Sequence, residues 1–107
     1  MRGKTPLPRR RVIACDVDGT LHRDGEPNTR LIAWLGARKV EGFSITLWSA
    51  RGEQHARMMA EQCECVELFD HIVSKPGYVV DDLGWSWIKY TEVVRFGGDP
   101  TEVDADA

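Results

Sequence analysis

The sequence predicts a small α/β fold built on a parallel sheet. Short β-branched apolar runs alternate with longer stretches whose apolar residues recur at helical spacing, the order that a parallel sheet with crossover helices requires. Glycine, proline and aspartate punctuate the junctions. At 107 residues, 42% hydrophobic and 29% charged, the chain has the size and mixture of one domain with one modest core, and no room for a second catalytic or lid domain.

Residues 12–16, VIACD, are apolar and β-branched and open the sheet. Residues 19–27, GTLHRDGEP, are loop. Asn28 or Thr29 can cap a helix that carries Leu31, Ile32, Leu35 and Val40 on one face, and Gly42 stops it. Residues 43–48, FSITLW, form the second strand, and Gly52 opens a second helix over residues 53–64 with Ala56, Met59, Ala60 and Cys63 inward. Residues 66–73 are a short strand or turn, and Lys75, Pro76 and Gly77 turn the chain. Residues 78–81, YVVD, are a further strand, and residues 83–90 a last short helix. A small Rossmann-like three-layer sandwich is expected, with right-handed crossovers and no cap domain. Ligands of such sheets sit beyond the carboxyl ends of the strands. The polar residues ending each run are therefore the ones to examine: Asp16 and Asp18, Ser49 and Arg51, Asp81 and Asp82.

Three segments are expected: a basic arm over residues 1–10, a core over 11–96, and an acidic tail over 97–107 without fixed structure. The net charge of −3 argues against a nucleic-acid coat or a polybasic membrane binder. No apolar run approaches the ~20 residues that span a bilayer. The basic start is not a secretory signal, because Asp16 and Asp18 break the apolar stretch behind it. Three cysteines, Cys15, Cys63 and Cys65, are an odd number, and the last two are too close to staple a fold. A reduced, cytoplasmic protein is expected.

Asp16-Val17-Asp18-Gly19-Thr20 follows the first strand directly, a pattern that chance supplies about once in a thousand chains of this length. It resembles the first motif of the haloacid dehalogenase (HAD) superfamily, most of whose members are Mg²⁺-dependent phosphohydrolases. Matches to the further motifs follow in order: Ser49 closing the second strand, Lys75, and Asp81-Asp82. The resemblance covers roughly residues 11–90.

Phosphoryl transfer needs an in-line nucleophile, neutralised phosphate oxygens and a proton for the leaving oxygen. The resemblance implies Asp16 as the nucleophile that becomes an aspartyl-phosphate. It implies Asp18 as general acid and then base. Two carboxylates ~4 Å apart repel by about 4 kcal/mol at an effective dielectric near 20, so Asp18 is expected to hold a proton more easily. Asp16, the backbone carbonyl of Asp18, and Asp81 or Asp82 are the implied Mg²⁺ ligands. Ser49, Thr20 and Lys75 would bind phosphoryl oxygens, Lys75 as a point charge. Arg51 either grips phosphate as a bidentate partner or pairs with a surface glutamate.

Each position has a plainer structural alternative. Asp16 and Asp18 could form a surface turn, Asp82 could cap the helix that follows it, and Ser49 and Lys75 are common at strand ends and Lys-Pro turns. His22 reads as a solvated loop residue, and His55 and His71 as surface or boundary residues. Cys63 and Cys65 have no partners at zinc spacing and read as packed thiols. Most of the four tryptophans read as packing against the sheet.

HAD enzymes usually carry a cap after the first motif or between the second and third, and neither gap here has room for one. The resemblance is to capless members, which act on large substrates or complete their sites by oligomerising. The expected function is a Mg²⁺-dependent phosphatase with an open site for a phosphorylated small molecule or macromolecule. Nucleotides and nucleic-acid ends are candidate substrates, and a homo-oligomer is a candidate assembly. The alternative is an idle HAD-like module that binds a protein partner.

Overall fold

The computed structural model describes residues 9–96. The acidic tail and most of the basic arm lie outside the described residues. The described chain falls into two compact units, Arg11–Gly77 and a second that comprises residues 9–10 and 78–96.

The first unit is α/β with a three-stranded parallel sheet. Its elements are β1 (Val12–Cys15), a short hairpin of β2 (His22–Arg23) and β3 (Glu26–Pro27), α1 (Thr29–Val40), β4 (Ser44–Ser49), α2 (Glu53–Gln62) and β5 (His71–Ser74). The sheet order is β1-β4-β5, with both pairs parallel. Register places Ile13 beside Ile45, Cys15 beside Leu47, and Leu47 beside Ile72. These residues share one face, because side chains alternate along a strand. Cys15, Ile45, Leu47, Ser49 and Ile72 are buried. The chain steps in one direction across the sheet, so two right-handed crossovers carry α1 and α2 to that same face. Leu31 and Leu35 of α1, with Ala56, Met59 and Ala60 of α2, supply its cover. On the opposite face Val12, Ala14, His71 and Val73 are exposed, so among the described residues the unit has two layers rather than the three expected.

Local chemistry sets the ends of these elements. Asn28 caps α1 by accepting the Leu31 N–H at 3.1 Å, and its amide donates to the Thr20 carbonyl at 3.1 Å. Arg38 and Lys39 lie in the last turn, where positive charge suits the helix dipole. Asp70 ties three elements together. It accepts the Ile45 N–H at 2.7 Å and pairs with Lys39 at 3.3 Å, which holds its carboxyl below the usual value, chiefly through the Ile45 hydrogen bond.

Several expectations need correction. Val40 is 89% exposed rather than inward. It lies nine residues past Leu31, which at 100° per residue is half a turn away from that face. Residues 66–73 resolve into a 3-10 turn, Val66–Leu68, and then β5. In the second unit, residues 78–81 are not a strand. Tyr78 and Val80 are 95% and 101% exposed. The last helix is a 3-10 helix, Gly84–Tyr90, and Asp81 rather than Asp82 makes the turn before it, accepting the Leu83 N–H at 2.8 Å. Trp85 is exposed, whereas Trp34, Trp48 and Trp87 are half-buried. Arg9 pairs with Glu92 at 3.3 Å.

All three cysteines are free and buried. Burial pushes the Cys15 thiol up to about 12 and Cys65 to about 11, which removes them as nucleophiles. Among the described residues, no helix is long and apolar enough to cross a membrane.

Candidate active site

Within the Arg11–Gly77 unit, side chains from the ends of all three sheet strands meet at the carboxyl edge. β1 ends at Cys15 and delivers Asp16 and Asp18 on a tight turn. Leu21 N–H donates to the Val17 carbonyl at 2.8 Å, and Gly19 N–H to the His22 carbonyl at 3.0 Å. Gly19 takes φ +82° there, a conformation that other residues adopt only at a cost. Val17 and Leu21 are fully buried and anchor the turn, leaving its polar residues at the surface.

Asp16 has two protein partners. Thr20 Oγ1 donates to Asp16 Oδ2 at 3.2 Å, and Lys75 Nζ stands 3.6 Å from Asp16 Oδ1. Lys75 is held from two sides. Its N–H donates to the Ser49 carbonyl at 2.8 Å, extending the β4–β5 ladder by one residue, and its ammonium lies over the Trp48 ring at 5.8 Å. Ser49 is 1% exposed. Its hydroxyl oxygen accepts the Arg51 N–H at 2.9 Å, which leaves the hydroxyl proton free to donate. The first N–H of α2, at Glu53, is taken by Ser74 Oγ at 3.1 Å.

Asp18 has partners that the sequence did not reveal. His22 Nε2 lies 2.9 Å from its Oδ1. His55 Nε2 lies 3.0 Å from Oδ1 and 3.2 Å from Oδ2. Arg51 Nη1 stands 3.7 Å from Oδ1, so Arg51 faces Asp18 rather than a surface glutamate. The two histidine side chains are only 11% and 13% exposed: His22 is not the solvated loop residue expected, and His55 sits at the boundary, one of the two places expected for it. Burial of the Asp18 carboxyl raises its pKa, but the hydrogen bonds from His55 and His22 and the charges of His55 and Arg51 outweigh it, and the net shift is downward. The expectation that Asp18 holds a proton more easily is overturned, because these donors favour the ionised form.

Hydrogen bonding also fixes the His22 tautomer. Gly25 N–H donates to His22 Nδ1 at 3.0 Å, so the ring proton sits on Nε2 and points at Asp18. Gly25 stands in the β2–β3 turn with φ +83°, after Asp24 at +53°, the positive values that a two-residue hairpin turn demands. Asp18, His22 and His55 have donor atoms close enough to surround a cation. A histidine that ligates through Nε2 donates its other N–H outward, whereas here Nδ1 faces an N–H. The trio is a hydrogen-bonded cluster centred on Asp18.

The structure thus brings Asp16, Asp18, Thr20, Ser49, Arg51 and Lys75 to one edge of one unit. Asp81 and Asp82 are exposed and belong to the second unit. No family model, no curated protein and no solved structure matches the chain.

Proposed function

We propose that the chain is a Mg²⁺-dependent phosphohydrolase of HAD type, without a cap, acting on phosphate monoesters on a Rossmann-like parallel sheet. The observation that supports this best is the pairing of Lys75 and Thr20 on the two oxygens of Asp16, directly after β1. A structural aspartate in a surface turn has no need of a cation delivered from another strand.

The donor set suits the metal. The Asp16 side chain is 39% exposed, so its carboxylate is accessible, and the Asp18 carbonyl is a second hard oxygen. Mg²⁺ takes one or two carboxylates and keeps several waters. Asp16 and the Asp18 carbonyl would hold it, and when bound it would neutralise phosphoryl charge.

Asp16 attacks phosphorus in line, forming its own O–P bond as the bond to the leaving oxygen breaks, and that oxygen takes its proton from solvent water at the open site. Lys75, Thr20 and the Ser49 hydroxyl orient the phosphoryl oxygens. Asp18, held ionised by His22 and His55, takes a proton from water as that water attacks the aspartyl-phosphate and releases phosphate. Arg51, 68% exposed, stands where it can reach an incoming phosphate. An open site suits nucleotides or phosphorylated nucleic-acid ends, and three free thiols suit a reducing cytoplasm.

Purified protein with an aryl phosphate tests this. Release of phosphate is expected to need Mg²⁺, to stop with EDTA, and to fall by about a thousandfold or more in Asp16→Asn. Folded protein without turnover across a broad phosphate-ester panel supports the protein-binding module instead.

A further inference from the structure

Lys75 and Asp16 start on opposite sides of the central strand. The sheet order is β1-β4-β5, and Asp16 follows β1 as Lys75 follows β5. Those strands lie two spacings apart, about 10 Å, yet the pair closes to 3.6 Å. The lysine stem therefore crosses β4, and the register names the residue it crosses. Cys15 pairs with Leu47, and Trp48 with Val73, so Asp16 comes level with Trp48. Side chains alternate along a strand. Trp48 and Val73 share the face away from the helices, Lys75 comes two residues after Val73, and Asp16 two residues after Ala14. The Trp48 ring is the ground between them, and the Lys75 ammonium lies 5.8 Å from its centroid.

The backbone fixes only the root of this side chain. The Lys75 N–H bonds the Ser49 carbonyl at 2.8 Å, and Pro76 after it favours an extended backbone at residue 75. The tip is a point charge on a flexible four-carbon stem, with no planar fork to define its own direction. The Lys75 side chain is 41% exposed and that of Asp16 39%. An ion pair that open to water gains little and does not by itself hold a long side chain in one place. Among the described residues the ammonium has two partners, Asp16 and Trp48. The indole face is the aromatic surface that attracts a cation best, and the ring is half-buried on the strand that also carries Ser49.

We infer that Trp48 is a positioning residue of the site: its ring carries the Lys75 side chain across β4 and sets the ammonium beside Asp16. Trp48 acts through Lys75 and not on the substrate. With leucine at position 48 the apolar bulk stays, the negative ring face goes, and the ammonium swings out into water. Phenylalanine keeps a face, though a weaker one. The benefit to turnover rests on the phosphatase proposal, because it requires Lys75 to meet phosphoryl oxygens. The seating of Lys75 on the ring does not rest on it.

Two measurements separate these claims. For the seating, the full chain is labelled with ¹³C-lysine and read by NMR, and the Lys75 signals are those that vanish in Lys75→Met. Ring current moves protons above an aromatic face upfield. The Lys75 ε-CH₂ protons are expected upfield of their ordinary position in the wild type, less so in Trp48→Phe, and at the ordinary position in Trp48→Leu. Ordinary positions in the wild type overturn the inference, whatever the variants do. For the role, kcat on an aryl phosphate is expected to fall about tenfold in Trp48→Leu and about twofold in Trp48→Phe. In a Lys75→Met background, Trp48→Leu is expected to cost nothing further. The same loss with and without Lys75, or equal losses in the leucine and phenylalanine variants, would show that the indole only packs, and overturns the positioning role. A wild type with upfield Lys75 protons and no turnover removes the phosphatase proposal and leaves the seating of Lys75 standing.

Discussion

Asp18 is surrounded by donors that hold it in place rather than by groups that protonate it. His22 is locked by the Gly25 N–H behind it, and His55 comes from the first turn of α2. Each contributes a charge-assisted hydrogen bond, about twice as strong as a neutral one. His55 spans both oxygens, so it sets the tilt of the carboxylate. Replacing His55 with alanine is expected to lower kcat by about a hundredfold with little change in KM, since a reacting group displaced by an ångström costs that much. His55→Gln keeps a donor near the Nε2 position and is expected to recover a large part of the loss. Steady-state kinetics on the two variants decide it: equal losses in both would show that the ring packs the loop and does not orient Asp18.

Among the elements, β4 bears the most. It is the central strand, and its buried residues Ile45, Leu47 and Ser49 alternate with half-buried ones. Leu47 has no exposure and sits between Cys15 and Ile72. Leu47→Ala is expected to destabilise the unit by about 2–5 kcal/mol, lowering Tm by about 10 °C or more, readable by circular dichroism. Elements of this kind were legible in the sequence because one local pattern dictates them. FSITLW reads as a strand from its alternation, and Asn28 reads as a cap from its position before an apolar period. Val40 failed because its residue type suggested burial while its phase on the helix opposed it. The run YVVD failed for another reason: β propensity expresses a fit to a neighbouring strand, and among the described residues no strand pairs with it. At the site, Asp16, Asp18, Ser49 and Arg51 were legible from strand ends, and Lys75 only through the motif resemblance. His22 and His55 were not, because a hairpin turn and a helix start bring them to Asp18 from 4 and 37 residues away, and no local pattern encodes that meeting.

For the whole molecule, two of these tertiary attachments make stability depend on pH in one direction. Asp18 and Asp70 both titrate below the ordinary aspartate value of 3.8 in the folded chain. At Asp18 burial opposes the shift, and the hydrogen bonds from His55 and His22 overcome it. At Asp70 the Ile45 N–H leads, followed by Lys39. A carboxyl whose folded pKa lies below its unfolded one binds fewer protons when folded, so its stabilisation is complete above the unfolded value and is lost as pH falls through the folded one. The urea midpoint is therefore expected to change little on account of these groups between pH 7 and about pH 5, and to drop below about pH 4. Asp70→Asn keeps an oxygen for the Ile45 N–H but cannot titrate or pair with Lys39. It is expected to lower the midpoint at pH 7 and to flatten the acid limb, so that the two proteins converge as pH falls. The clamp sits where α1, β4 and the approach to β5 meet, so losing it at low pH loosens the strand that carries Ser49 and, through the Ser49 carbonyl, the attachment of Lys75. Parallel denaturation curves for wild type and Asp70→Asn, separated by a constant amount from pH 7 to pH 3, would show that Asp70 acts through packing alone and that acid stability is set elsewhere.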